Sequence, residues 1–445
     1  MKQRAMLLLA AMLFTSCGSS TELVIGYYPA WSRDAFPAEE LDLTRLTHVP
    51  HAFAWPNADG SIGHHDRLIY PELNDRVHAE GKTILLSLGG WGHSDAFAPV
   101  AADSLLRRRF VEQVFQFVLK YQYDGVDLDW EFPTDAADRE NMVLLVKDLR
   151  EAFDRLMRAQ KLWITMAVSA GNYYGQWFDH KGLAPFVDFF GCMTYDFHGP
   201  WTNHAGHNSP LFPSGGDADG SVSSGVAYLK SRGVPAEKIV IGVPFFGREF
   251  NAARLYGPST GGDVSYGYAQ IVRFMEQGWT YHWDAVAQVP YLTNPTGDKL
   301  ITYDDTLSVR LKAEYAVKQK LRGVMIWALG QDVVSGRQPL LEAVSAPILK
   351  PTAVVSAQPT GFELKNYPNP FNHSTLLTVT LTTPERVRIE LYDACGRLLR
   401  RLVEANLPAG EHQVVVDGAD LSSGIYFCTL ESTADRQICP ITLIK

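Results

Sequence analysis

Asp124-Gly125-Val126-Asp127-Leu128-Asp129-Trp130-Glu131 sets three carboxylates, those of Asp127, Asp129 and Glu131, at two-residue spacing in a run that reads as one strand. Successive side chains of a strand point to opposite faces, so Asp127, Asp129 and Glu131 share one side while Val126, Leu128 and Trp130 share the other. Three acids stacked at roughly 7 Å intervals repel one another and lose solvation, so at least one should hold a proton at neutral pH. A held proton is what a general acid needs. A calcium loop fits poorly, because such loops set glycine and polar residues between the ligands, whereas Val, Leu and Trp want burial.

Similar short apolar runs recur on both sides of this stretch: Leu23 to Ala30, His48 to Trp55, Thr83 to Trp91, Trp163 to Ala170, Val187 to Phe197, Lys238 to Gly247 and Gly323 to Gly330. Helical stretches such as Ser104 to Tyr121 and Arg139 to Gln160 separate them. Eight apolar runs alternating with helices predict an α/β fold, a TIM (β/α)8 barrel over about residues 22–345. Barrel enzymes carry their chemistry at the carboxyl ends of the strands, where Glu131 falls on the fourth run.

The seventh and eighth runs lie too far apart for one connecting helix. Between them, about residues 248–305, Tyr266 to Gly278 reads as a helix and Thr280 to Asp304 as strands with a turn at Asn294-Pro-Thr-Gly, which predicts a small α+β insertion walling a groove. The barrel should close with a helix over Gln338 to Val344. Residues 346–361 read as a linker, and from 362 to 445 short alternating strands predict an immunoglobulin-like β-sandwich.

The chain of 445 residues is 46% hydrophobic and 20% charged, ordinary for a globular protein of two or three domains. Its formal net charge of -9 without a basic patch argues against nucleic acids and anionic membranes as partners and suits a neutral polymer. Residues 1–17 have the basic start, short apolar centre and small-residue exit of an export signal. Cys17 resembles the lipid-attachment site of a bacterial lipoprotein, with Phe14 where Leu is usual, so a lipid anchor is a candidate feature. No segment has the roughly 18 apolar residues of a transmembrane helix. Cys428 and Cys439 could pair in an oxidising compartment, although sequence does not fix the pairing. The pairs His48/His51 and His204/His207 lack further ligand-like neighbours and read as loop or core residues, so no metal is expected.

The acidic stretch resembles the Asp-x-x-Asp-x-Asp-x-Glu signature of the family 18 glycoside hydrolases, the chitinases. Ser87-Leu-Gly-Gly90-Trp91, Met193-Thr-Tyr195-Asp196-Phe-His-Gly and Gly323-Val-Met-Ile-Trp327 resemble its third, sixth and eighth strand motifs, and Gly206-His-Asn-Ser-Pro210 and Ile301-Thr-Tyr-Asp304-Asp305 other segments of it. The resemblance implies that Glu131 protonates the departing glycosidic oxygen. It implies that the substrate's own N-acetyl oxygen, not a second carboxylate, attacks the anomeric carbon, with Asp129 stabilising the charge that develops. Asp127 would share a proton with Asp129, and Tyr195 would hold the N-acetyl carbonyl in line.

Trp327 is expected as the apolar floor under the reacting sugar. Asp196, Met193 and Arg248 are expected beside it, and Tyr27, Trp91 and Trp201 as sugar-contacting aromatics. Asp124 is expected to shape the start of the strand. The implied activity is hydrolysis of β-1,4 links between N-acetylglucosamine units, without any cofactor, by a secreted or cell-surface protein acting as a monomer. An endo-β-N-acetylglucosaminidase acting on N-glycans and an inactive chitin-binding lectin are the alternatives.

The tail has its own resemblance. Tyr367-Pro-Asn-Pro370-Phe371-Asn372, Tyr392-Asp393, Leu421-Ser-Ser-Gly424-Ile-Tyr426 and the final Thr-Leu-Ile-Lys445 resemble the C-terminal sorting domains of the type IX secretion pathway, which implies that machinery as a partner.

Overall fold

The structure is a computed structural model describing residues 23–156, 161–215, 218–349, 362–367, 369–381, 383–393, 397–432 and 436–443. The expected export signal with Cys17 and most of the expected linker lie outside the described residues. The chain divides into two compact units, residues 1–350 and 351–445.

In the first unit eight strands run parallel: Leu23–Gly26, His48–Pro56, Thr83–Gly89, Gly125–Asp129, Trp163–Ser169, Phe189–Met193, Ile239–Pro244 and Gly323–Trp327. Each pairs with the next in sequence, and the first closes on the last with Leu23 opposite Gly323. The ring is a TIM barrel. Residues facing outward, such as Val126, Leu128, Ile164 and Val243, bury against the surrounding helices in the largest apolar cluster. Residues facing inward form a smaller one in which Leu23, Ile25, Phe189, Val240 and Met325 pack with Tyr27, Met193, Tyr195 and Trp327.

The helix expected over Arg139 to Gln160 spans Ala136–Asp154. It starts three residues earlier because the Asp135 carboxylate caps it by accepting from Asp138 N, satisfying one of the unpaired N–H groups of the first turn. The insertion follows the seventh strand directly. It is a five-stranded antiparallel sheet, in the order Thr260–Gly267, Phe246–Asn251, Leu300–Thr302, Val289–Thr293 and Thr280–Asp284. The helix Tyr268–Glu276 packs on it through Ile271, against Leu292, Ile301 and Tyr303.

The second unit has two antiparallel sheets. One holds Phe362–Tyr367, Ser374–Leu381 and Gly410–Asp417, the other Leu398–Leu407, Glu385–Asp393, Gly424–Glu431 and Arg436–Leu443. Alternate residues of both, among them Leu377, Val379, Val387 and Ile389, form one core, as in a β-sandwich. Cys428 and Cys439 face each other across adjacent strands, yet both are free thiols, and Cys439 Sγ lies 3.2 Å from Asn366 Oδ1.

Candidate active site

The fourth barrel strand ends at Asp129, so Glu131 stands just beyond the ladder rather than on it. Two contacts set the exit: Gly90 N donates to Asp129 O at 2.7 Å, and Glu131 N donates to Ser94 Oγ at 2.9 Å. Gly89, at φ 109°, lets the backbones touch, because a Cβ there would lie 2.2 Å from Asp129 O.

The three carboxylates follow one another outward. Asp127 is innermost and 1% exposed; its Oδ1 accepts from Thr165 Oγ1 at 2.7 Å and its Oδ2 from Tyr27 Oη at 2.8 Å and Ser87 Oγ at 2.9 Å. Strand register explains the match, since Ser87 and Thr165 lie directly opposite Asp127 on the flanking strands. Burial raises its pKa above the usual carboxylate value, and the three donors offset part of that rise. Asp129, 5% exposed, has no such cradle, and its Oδ1 is buried without a hydrogen bond. Burial first, then the charges of Glu131 and Asp127, hold its pKa well above the usual carboxylate range. Glu131 is partly exposed. Burial and then the charge of Asp196 push it up to about 7, against a smaller lowering by the Trp91 backbone. The outermost acid therefore keeps its proton close to neutrality.

Tyr195 lies in the barrel interior with Met193, and burial and the nearby carboxylates raise its phenol well above its ordinary value. Trp327, ending the eighth strand, stacks on Phe53 with centroids 5.7 Å apart and takes the edge of Tyr27 at 5.6 Å. Tyr27 itself is only 4% exposed, so it braces Asp127 and Trp327 from below instead of offering a face to solvent. Trp91 and Trp201 are 75% and 61% exposed at strand-end loops, where indole surface is open to a ligand. Arg248 donates to Asp196 Oδ1 at 2.6 Å and lies 5.0 Å from the Trp201 ring, linking the insertion to the sixth-strand loop.

Asp124 lies at the other end of its strand and accepts from Ile84 N and His78, away from this cluster. The sequence names Ser87 only as the start of a motif, and gives Thr165 and Ser94 no role. For Ser87 and Thr165 the available signal was a hydroxyl in an otherwise apolar strand, whereas Ser94 lies in the loop after the third barrel strand.

Residues 23–332 match the family described as glycosyl hydrolases family 18. The chain belongs to that family. Residues 365–442 match the family described as a secretion system C-terminal sorting domain, which marks an exported or cell-surface protein. No helix among the described residues is long and apolar enough to cross a membrane.

This family 18 chain is 32% identical to "Probable chitinase 2" of Drosophila melanogaster, over 84% of the chain and 86% of that protein. It is 30% identical to chitinase A1 of Niallia circulans, over 69% of the chain and 56% of that longer protein. Among solved structures, the Group IV chitinase of Ostrinia furnacalis superposes with a TM-score of 0.69 at 30% identity, covering 74% of this chain and 99% of its own. A family 18 N-acetylglucosaminidase from Paenibacillus barengoltzii superposes at 0.67 with 32% identity, covering 73% and 99%.

Proposed function

We propose that this glycoside hydrolase is an exported chitinase cutting β-1,4 links between N-acetylglucosamine units with retention of configuration. The observation that carries the reading is the graded row of carboxylates, in which only Glu131 both reaches solvent and keeps a proton to about pH 7. Such a group can protonate a leaving oxygen and later act as base towards water.

A retaining enzyme of the usual kind needs a second carboxylate as nucleophile. Asp129 is buried on the strand that leads to Glu131, and Asp196 is engaged by Arg248, so neither makes a free nucleophile. An N-acetyl oxygen of the substrate can take that part. With the proton of the coupled pair on Asp127, the Asp129 carboxylate accepts a hydrogen bond from the amide N–H and stabilises the positive charge that develops on nitrogen. Tyr195 orients the acetyl group above Trp327, while Trp91 and Trp201 extend the sugar-contacting surface.

A time course on a labelled chitin hexamer, followed by NMR, tests this reading. β-Anomer should appear first, and fully deacetylated chitosan should resist cleavage; first-formed α-anomer would overturn the mechanism. A parallel assay on a high-mannose glycoprotein separates chitinase from an N-glycan endoglycosidase. Sugar binding with no product from either substrate would mark a lectin.

A further inference from the structure

We infer that His198, His204 and Asp219 form a binding site for a zinc-class divalent cation, which staples the loop after the sixth barrel strand to the segment carrying Asp219. The ligand atoms of the three residues lie within 4.8 Å of one another, and each imidazole Nε2 is 3.3 Å from the same oxygen, Asp219 Oδ2. A tetrahedral zinc ion about 2.0–2.1 Å from its donors sets neighbouring ligands about 3.3–3.4 Å apart, which the two histidine–aspartate spacings of 3.3 Å match.

The tautomers agree. His198 Nδ1 lies 2.9 Å from the carbonyl of His207, which can only accept, so Nδ1 carries a proton and Nε2 is the ring nitrogen left to face Asp219 and to ligate. His204 Nδ1 lies 3.2 Å from Asn203 Oδ1, which fixes that ring in the same sense. A second ring nitrogen bonded to carbonyl or amide oxygen is how metal-ligating histidines are commonly oriented.

The protein also makes room for the buried ring. A Cβ on Gly206 would lie 2.3 Å from the His198 imidazole, so this position accepts no side chain without displacing it. His198 is fully buried, whereas the side chains of His204 and Asp219 are 30% and 41% exposed, so an ion can arrive from solvent. A water or a further protein oxygen would complete the tetrahedron. In sequence His204 invited comparison with His207; the fold sets it beside His198 instead, with ring centroids 5.0 Å apart. The loop so tied carries Asp196 and Trp201, so the ion's place is structural and it takes no part at Glu131.

The test uses the full chain, stripped with a chelator and titrated calorimetrically with zinc chloride. One ion per chain should bind, cobalt should give the visible bands of a four-coordinate site, and zinc should raise the unfolding midpoint. His204→Ala and Asp219→Ala, at partly exposed positions, should each weaken binding by at least about tenfold and abolish the zinc-dependent shift. A chain that takes up no zinc carries only a proton between these groups and overturns the site, as does zinc uptake unchanged in both variants.

Discussion

Tyr27 Oη donates to Asp127 Oδ2 across 2.8 Å, joining the end of the first barrel strand to the middle of the fourth inside the barrel. The carboxylate it supports is nearly sealed from water, so every donor counts. Tyr27→Phe should cost about 1–3 kcal/mol in urea unfolding, the desolvation penalty of a buried acceptor short of a partner. The lost donor had lowered the pKa of Asp127, so the variant's value rises further. The loss should be largest where Asp127 is ionised and should shrink as pH falls towards about 4.

Glu131→Gln should lower kcat by about 10²-fold to 10⁴-fold while leaving chitin-oligomer affinity nearly intact, because the amide keeps the shape and loses the proton. Equal turnover in variant and parent would remove Glu131 from the chemistry. Calorimetric binding beside initial rates separates the two effects.

Stability should move the other way. An acid whose pKa rises on folding, here to about 7, carries no penalty below its unfolded value near 4.5 and the full penalty once pH passes the folded value. Glu131→Gln should therefore stabilise the fold by about 1–3 kcal/mol above pH 7, with the gain fading as pH falls towards 4.5. For the parent, kcat should decline as pH rises through about 7, where the general acid loses its proton.

Trp91 and Trp201 project into solvent and support little of the core. Replacing either with Ala should change stability by less than about 0.5 kcal/mol yet weaken oligomer binding roughly threefold to tenfold, the range of an aromatic stacking contact. Unchanged binding in both variants would move the sugar path elsewhere.

Lys312, fully buried, donates to both Asp304 oxygens at 2.6 Å and to Ser209 Oγ at 2.7 Å, tying the end of the insertion to the segment after the sixth strand. Lys312→Ala leaves Asp304 buried without its counter-charge. It should lower stability by about 3–5 kcal/mol, read as a shifted urea midpoint.

The barrel was legible because parallel strands buried on both faces leave continuous apolar runs, and the acidic row was legible because period two survives any context. The donors around Asp127 were not. Ser87 and Thr165 meet it through strand register, which tertiary pairing sets and no local pattern records. Lys312 sits in a helix, Thr306–Lys318, whose charged residues look like a solvated face until the fold covers this one. Tyr27 illustrates the limit from the other side: position at a strand end singled it out, but only the packing decides that it braces a carboxylate from beneath.

The graded row of acids has an evolutionary corollary. Because Glu131 costs the fold stability at neutral pH, exchanging it for a neutral residue is thermodynamically downhill and leaves Trp327, Trp91 and Trp201 in place. Drift in a copy relieved of hydrolysis would then run towards a sturdier protein that holds the polymer without cutting it, and only selection for turnover keeps the acid where it is.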